Sequence, residues 1–121
     1  MSLWIMIAGP YRAGAADAEA RAANLRALND AARRVLALGH VPVIGVNMAL
    51  PVIEAAEAAG EEGAFERIMM PLSLALTERC DGVLRIGGVS DGADAELRRF
   101  EAAGKRVFRS IEELPVPESV R

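Results

Sequence analysis

An apolar run near the start of the chain, Leu3 to Ala8, constrains the fold most. Six consecutive apolar residues end at Gly9-Pro10. A strand without a polar side is typical of one that is buried on both faces, as in a parallel sheet. Parallel neighbours need crossover connections, which are usually helices. The run therefore predicts an α/β chain whose sheet is covered by helices on both sides.

The rest of the chain alternates between helical and strand-like segments. Apolar spacing predicts helices over Ala18 to Leu38, Ala64 to Arg79 and Gly92 to Ala103. Short apolar runs predict further strands over Val41 to Gly45, Gly82 to Ile86 and Arg106 to Phe108. This alternation implies right-handed crossovers and a parallel sheet of four to five strands. At 121 residues, we expect one domain over residues 1–121.

Several segments carry weaker patterns. Asn47 to Gly63 predicts only a short helix over Glu54 to Ala59, and Pro71 is expected to kink or restart the helix around it. Ser110 to Leu114 predicts one helical turn before a proline-containing tail, Pro115 to Arg121. The apolar stripe of the first helix is predicted to consist of Leu25, Leu28, Ala32, Val35 and Leu36.

Composition narrows the class of protein. The net charge of −3 argues against nonspecific binding to nucleic acid. Cys80 is the only cysteine and His40 the only histidine, which excludes an internal disulfide and disfavours structural zinc. No apolar run reaches the roughly 20 residues of a membrane span, and Leu3 to Ala8 is too short for a signal peptide. We expect a cytoplasmic protein with no metal, cofactor or membrane partner.

Two loops follow predicted strands and are candidates for a ligand site. They are Gly9 to Gly14 and Gly87 to Asp94. In parallel α/β sheets, ligands bind beyond the carboxyl ends of the strands, where the strand order reverses. The first loop has neither the GxGxxG pattern of dinucleotide sites nor a Walker motif, so it does not predict NAD or NTP binding.

Glu96 is the leading candidate for chemistry. Ser90 or Asp91 is expected to cap the helix that carries it, which places Glu96 in or next to the first turn. There the helix dipole favours an ionised carboxylate, as a nucleophile or base requires. The alternative is a glutamate that only complements the dipole.

Asp81 and Tyr11 are the other candidate catalytic residues. Asp81 could supply the second carboxylate that glycosidic bond chemistry commonly uses, or it could be a turn or cap residue. Tyr11, the only tyrosine, could orient Glu96 or contact a sugar, or be a half-buried loop aromatic. The residues expected to contact substrate are Gly9, Pro10, Arg12, Asn47, Gly88, Ser90 and Gly92.

The motifs occur in an order that resembles the nucleoside 2-deoxyribosyltransferase superfamily. They are Ile7-Ala8-Gly9-Pro10-Tyr11, Asn24, Cys80-Asp81-Gly82-Val83-Leu84, Ser90-x-Gly92-x-x-x-Glu96 and Ala102-x-Gly104-Lys105-x-Val107. The similarity extends from about Leu3 to Leu114 and is strongest to a short branch with an IAGPY signature, related to the 2′-deoxynucleoside 5′-phosphate N-hydrolases.

This resemblance implies a flavodoxin-like or Rossmann-like three-layer α/β/α fold and chemistry at an N-glycosidic bond. In the family, the glutamate that matches Glu96 attacks the anomeric carbon, and the aspartate that matches Asp81 protonates the departing base. Tyr11 lies near the position from which the family's first loop reaches the nucleophile. Arg12 and Ser90 match residues that bind a 5′-phosphate in the nucleotide hydrolases.

Two departures from the family pattern bear on the phosphate. Pro10 replaces a serine that phosphate-preferring members often carry, which removes a hydrogen-bond donor. Asp94 replaces a frequent glycine and adds negative charge near Ser90. Both departures argue against a preference for monophosphates.

The leading hypothesis is therefore an N-glycosidase or deoxyribosyltransferase that acts on a nucleoside or nucleotide through a covalent glycosyl-Glu96 intermediate. Hydrolysis is preferred over transfer, because a short chain closes its site poorly against water. One alternative is a phosphoribohydrolase of the cytokinin-activating type, whose GGxGT…E loop loosely resembles the Gly87–Glu96 segment. Another is a nucleotide-binding sensor without turnover.

The helix predicted over Ala64 to Arg79 also bears on assembly. It is apolar on two faces, with Met69 and Met70 on different sides. Because a helix that is apolar all round must be covered, we expect a homodimer or a higher homo-oligomer.

Overall fold

A parallel sheet of four strands forms the centre of the computed structural model, which describes residues 2–116. The strands are β1 (Trp4–Ala8), β2 (Val41–Val43), β3 (Gly82–Arg85) and β4 (Arg106–Phe108). They lie in the order β2-β1-β3-β4 and all pairs are parallel. The chain moves from β1 to β2 in one direction and continues from β3 to β4 in the other. The strand order therefore reverses between β1 and β3.

Four helices and one short turn connect and flank these strands. They are α1 (Ala18–Ala37), α2 (Gly45–Ala58), α3 (Ala64–Thr77), α4 (Asp91–Ala102) and a 3₁₀ turn (Ile111–Glu113). The carboxylate of Asp17 caps α1 by accepting a hydrogen bond from the Ala20 N–H at 2.8 Å. The 3₁₀ turn confirms the helical turn predicted over Ser110 to Leu114.

Alternating side chains of β1 divide the core into two layers. Ile5 and Ile7 pack with Leu28 of α1 on one face of the sheet. Met6 packs with Phe100 of α4 on the opposite face. Each of these side chains is at most 2 % exposed, so β1 is buried on both faces, as its apolar run predicts. The result confirms the predicted α/β fold, with helices on both sides of a four-stranded parallel sheet.

Helix α2 differs most from the prediction. The sequence pattern predicts a strand to Gly45 and a short helix over Glu54 to Ala59, whereas β2 ends at Val43 and α2 runs over Gly45–Ala58. Gly45 and Pro51 are poor helix formers, and Pro51 lies inside the helix. However, Ala49, Ile53 and Ala56 form one buried face that packs with α3. Tertiary packing therefore overrides the weak local propensity.

Helix α3 bears on two expectations, about Pro71 and about oligomerisation. It runs from Ala64 to Thr77 without restarting at Pro71, which is exposed, so the hydrogen bond that the proline removes lies on the solvent side. Met69 is 6 % exposed and packs in the cluster shared with α2, while Met70 is half-buried and lies near Gly92 of α4. Both sides of α3 thus pack within the chain, so oligomerisation remains a prediction that α3 does not require.

The predicted stripe of α1 needs one correction. Leu28 and Val35 are buried and Leu25 and Ala32 are partly buried, but Leu36 is 62 % exposed. Ala31 is buried instead. Of the predicted tail, residues 117–121 lie outside the described residues. Within residues 2–116, no helix combines the length and the hydropathy needed to cross a membrane.

Candidate active site

The loops that follow β1 and β3 meet at the edge of the sheet where the strands end, called here the carboxyl edge. Gly87 has a φ of +77°, a conformation that other residues rarely adopt. A Cβ atom at Gly87 would lie 2.7 Å from Cδ of Pro10 in the other loop. Glycine therefore allows the two loops to pack together at the point where the strand order reverses, which is where a ligand site is predicted.

A cavity of about 280 Å³ opens beside these loops. Its apolar wall comes from α2 and α3 and consists of Val46, Phe65, Met69 and Met70. Six of the predicted site residues also line it, namely Gly9, Tyr11, Arg12, Ser90, Gly92 and Glu96. The fold thus brings together the loop after β1, the start of α4 and the candidate nucleophile.

The position of Glu96 follows from how α4 begins. The Ser90 hydroxyl accepts a hydrogen bond from the Ala93 N–H at 3.2 Å, and the helix starts at Asp91. This confirms Ser90 as the cap and places Glu96 just after the first turn. The Glu96 side chain points inward, since the residue is only 8 % exposed.

The surroundings of Glu96 change its protonation. Burial raises the pKa of Glu96 to about 7, although a hydrogen bond from the Ser73 hydroxyl and the charge of Arg85 act in the opposite direction. The helix dipole leads to the expectation of a fully ionised carboxylate, whereas near pH 7 both protonation states are populated. Carboxyl groups tuned to this range are typical of sites that exchange protons or switch charge during a reaction.

Arg85, at the end of β3, is a site residue that the sequence reasoning missed. Its Nε donates to a carboxylate oxygen of Asp94 at 3.1 Å, and its Nη2 donates to the Gly88 carbonyl at 2.8 Å. It also donates to the Ile86 carbonyl. The negative charge of Asp94 is therefore paired with a cation, which weakens the argument that Asp94 repels a phosphate. The sequence does carry a signal that could have identified Arg85, because it is the only charged residue in the apolar segment that forms β3.

Ser73 is the second residue that the sequence reasoning missed. Its hydroxyl donates to Oε2 of Glu96, and Ser73 is 2 % exposed. The sequence carries only a weak indication that Ser73 is a site residue. Ser73 and Thr77 are hydroxyl residues spaced one helical turn apart in a segment that is otherwise largely apolar.

The loop after β1 carries Tyr11 and Arg12 to the mouth of the cavity. The Asn24 side-chain amide donates to the Tyr11 carbonyl at 2.8 Å and ties the loop to α1. The Arg12 guanidinium lies 3.4 Å from the centre of the Phe65 ring, which is a close cation–π contact. A planar cation stacked on an aromatic ring thus forms one side of the entrance.

Asp81 is not brought to Glu96. It precedes β3 at the edge where the strands begin, called here the amino edge, and its Oδ2 accepts a hydrogen bond from the Trp4 N–H at 2.8 Å. Glu96 lies beside the carboxyl edge, at the other end of the strands. In the structure, Asp81 thus accepts a hydrogen bond from exposed backbone next to a strand, which fits the alternative interpretation of a cap residue. The catalytic role that the resemblance implies for Asp81 stays a prediction.

Three predicted contact residues lie away from the cavity that Glu96 lines. Asn47 is in the first turn of α2, and its amide donates to Oδ1 of Asn29 at 2.7 Å. Pro10 and Gly88 line a neighbouring cavity of about 470 Å³, which shares Ser90 with the first. Only part of the predicted phosphate-holding loop thus faces a second space, since Ser90, Asp91 and Gly92 of the same loop line the cavity that contains Glu96.

Comparison with known proteins gives a family without an assigned activity. None of the curated proteins matches the chain. The match to a family extends over residues 4–112, from β1 to the 3₁₀ turn, and so includes the sheet, the cavity and Glu96. The chain belongs to the family described as a domain of unknown function (DUF1937).

Proposed function

We propose that the protein cleaves the N-glycosidic bond of a nucleoside or nucleotide, with Glu96 as the nucleophile. One observation carries the proposal: Glu96 is a buried carboxylate that lines a cavity at the point where the strand order reverses. The motif resemblance to the nucleoside 2-deoxyribosyltransferase superfamily supplies the substrate class. The family description names no activity, so it leaves this assignment to experiment.

The proposed reaction has two steps. The Glu96 carboxylate attacks the anomeric carbon, and the bond electrons leave with the base, which takes a proton from solvent. Water then attacks the same carbon, releases the sugar and the Glu96 carboxylate, and returns one proton to solvent. An ionised carboxylate stabilises the positive charge that develops on the sugar in both steps.

The cavity wall suits a ligand of this kind. Phe65, Met69 and Met70 offer a flat and adaptable apolar surface against a base or the carbon face of a sugar. Tyr11 and Ser90 bring hydroxyl groups to the same space, where sugar hydroxyls can be bound. Asp81 has no role in this mechanism, because it lies at the amino edge.

The pKa of Glu96 limits the rate at low pH. Only the ionised form can attack, and burial raises the pKa of Glu96 to about 7. Turnover limited by the first step should therefore rise with pH from about 6 to about 8 and then level off.

The test is release of free base from a panel of nucleosides and 5′-monophosphates, detected by mass spectrometry. Wild-type protein should release base from at least one class, and Glu96→Gln should reduce the rate at least about a thousandfold. Glu101→Gln is the matched control, because Glu101 is exposed on the same helix and should keep the wild-type rate. A sugar adduct on the peptide that contains Glu96 would identify the intermediate.

The placement of Asp81 favours a second candidate, a sensor that binds a nucleotide without cleaving it. Because Asp81 lies at the amino edge, the aspartate that the resemblance implies as proton donor is absent from the cavity lining. Calorimetry on the same panel separates the two candidates. Binding of a nucleotide with no base released by wild-type protein rejects the enzyme and supports the sensor. Turnover that survives Glu96→Gln rejects the nucleophile.

A further inference from the structure

The hydroxyl of Ser73 has an unusual partner for a buried residue on a helix. Such hydroxyls often bond to the backbone of their own helix, as Thr77 does by donating to the Leu74 carbonyl at 2.6 Å. Ser73 instead donates to Oε2 of Glu96 on α4. Both residues are nearly buried and both line the cavity. The bond therefore joins two helices at the floor of the candidate active site.

Helix α2 leaves room for this hydroxyl. Its first residue is Gly45, and a Cβ atom there would overlap Oγ of Ser73 and lie 2.8 Å from Cβ of Ser73. Real side chains do not approach so closely without movement. Three helices thus meet at the Ser73 hydroxyl, and the glycine of one of them keeps the space that it occupies.

The second oxygen of Glu96 remains open. Ser73 donates the only hydrogen bond that the Glu96 carboxylate accepts from a side chain or backbone group within residues 2–116. In that part of the chain, no buried side-chain oxygen lacks a partner. The other oxygen, Oε1, is therefore not enclosed by protein, and the open space that Glu96 lines is the cavity.

We propose that Ser73 is a positioning residue that holds one carboxylate oxygen of Glu96 and leaves the other directed at the ligand. This inference deepens the proposed function and rests on it for the role of Glu96 as nucleophile. A carboxylate fixed at one oxygen has fewer orientations to lose when it attacks, which is how positioning lowers a barrier. The hydrogen bond also favours the charged form that the attack requires.

Other charged and titratable groups lie around Glu96, so the test must separate the effect of Ser73 on the pKa of Glu96 from theirs. Arg85 on β3 lowers the pKa of Glu96 by its positive charge. The groups that line the same cavity from other positions are Tyr11 and Arg12 in the loop after β1 and Asp91 at the start of α4. A variant at Ser73 leaves all of these in place.

The experiment is a direct titration of Glu96 by NMR, with ¹³C in the glutamate carboxyl groups and Glu96→Gln used to assign the signal. The wild-type midpoint should lie near 7. Ser73→Ala should move it upward by about one pH unit, because a hydrogen bond to the charged form is lost. Thr77→Val removes a buried hydroxyl from the same helix without touching Glu96, and should leave the midpoint unchanged.

A second variant reaches the same bond from another helix. Gly45→Ala should displace the Ser73 hydroxyl and also move the Glu96 midpoint upward. Thermal unfolding shows which variants are folded, and either one suffices for the test. A Glu96 midpoint that stays at the wild-type value in folded Ser73→Ala or Gly45→Ala protein overturns the inference.

Turnover provides the readout that separates this inference from the proposed function. In Ser73→Ala, kcat at pH 7 should fall about fivefold from the smaller ionised fraction, recover much of the loss near pH 9, and show little change in KM. A purely structural defect would lower the rate at every pH. If no nucleoside is cleaved by wild-type protein but the midpoint still moves, the proposed function fails and the Ser73–Glu96 bond stands.

Discussion

The polar side chains at the two edges of the sheet differ in how their hydrogen-bonding atoms are paired. At the amino edge, both ring nitrogens of His40 are paired, since Nδ1 accepts from the Leu3 N–H at 3.0 Å and Nε2 donates to the Pro115 carbonyl. The Asp81 carboxylate is bonded to the backbone of Trp4. At the carboxyl edge, Glu96 has one bonded oxygen and one open to a cavity. The polar side chains of the amino edge therefore bind backbone groups and join chain segments. At the carboxyl edge, one oxygen of Glu96 stays available to a ligand.

The buried acids of the two edges show the same contrast. Burial raises the pKa of the Cys80 thiol to about 11, while Lys105 lowers it and Asp81 raises it further. The thiol therefore stays protonated and unreactive at neutral pH. Burial raises the pKa of Glu96 from 4.5 to about 7, although Ser73 and Arg85 oppose it. Burial raises both pKa values by a similar amount, so the outcomes differ because a carboxyl starts from 4.5 and a thiol from 9.0. Of the two groups, only Glu96 therefore titrates near neutral pH.

The largest effect should come from breaking the amino edge at His40. Replacing His40 with alanine leaves a cavity and removes the partners of the buried Leu3 N–H and of the Pro115 carbonyl, so we expect the free energy of unfolding to fall by about 4 kcal/mol. Urea unfolding measures this loss. The NMR midpoint of Glu96 should not change in the folded variant, and a large shift would show that the two edges are coupled.

The second-largest expected effect is a pH dependence of the free energy of unfolding, caused by Glu96 at the carboxyl edge. The folded-state pKa of Glu96, about 7, lies above its ordinary value of 4.5, so the folded protein binds more protons between these values. The contribution of Glu96 to stability is therefore highest at low pH and should fall by about 3 kcal/mol as pH rises from about 4 to above 7.

Urea unfolding across this pH range tests that sign. Glu96→Gln removes the titration and should abolish this part of the pH dependence, whereas Glu101→Gln should retain it, because Glu101 is exposed. A wild-type protein and a Glu96→Gln variant with parallel stability curves would contradict the burial of a titrating carboxylate at this edge.

The smallest effect sharpens the comparison at Asp81. Asn keeps an oxygen that can accept from the Trp4 N–H, so Asp81→Asn should change the free energy of unfolding by less than about 1 kcal/mol. It should also leave base release within about twofold of wild type, since Asp81 lies far from the cavity along the strands. A large loss of turnover in a stable Asp81→Asn protein would restore the role that the family resemblance implies.

Much of the fold could be predicted because its signals are local. The run in β1 has no polar side, and the hydroxyl of Ser90 comes just before an amphipathic segment, so the strand and the start of α4 follow from short-range patterns. Helix α2 could not be predicted in this way. Its glycine and proline argue against a helix locally, and only the packing of Ile53 and its neighbours against α3 stabilises one.

Some residues of the candidate site could also be predicted from local sequence, and others could not. Glu96 and the loop with Tyr11 and Arg12 follow strands that end at the same edge, so their meeting could be predicted from strand order. Ser73 could not be placed there, because α3 is far from α4 in sequence and a serine in a helix carries no mark of its partner. Asp81 sits before its strand, and residues before and after a strand lie at opposite edges.

The sequence by itself therefore determined that the chain forms a parallel α/β sheet with Glu96 on the helix after β3. The spacing of apolar residues and the capping of helices act over a few residues, so both can be recognised in the sequence without knowing the fold. Only the tertiary structure decided how acidic Glu96 is, which group bonds it and whether Asp81 can reach it. These depend on burial, on the Ser73 hydroxyl and on the charge of Arg85, which come from separate segments and act through space.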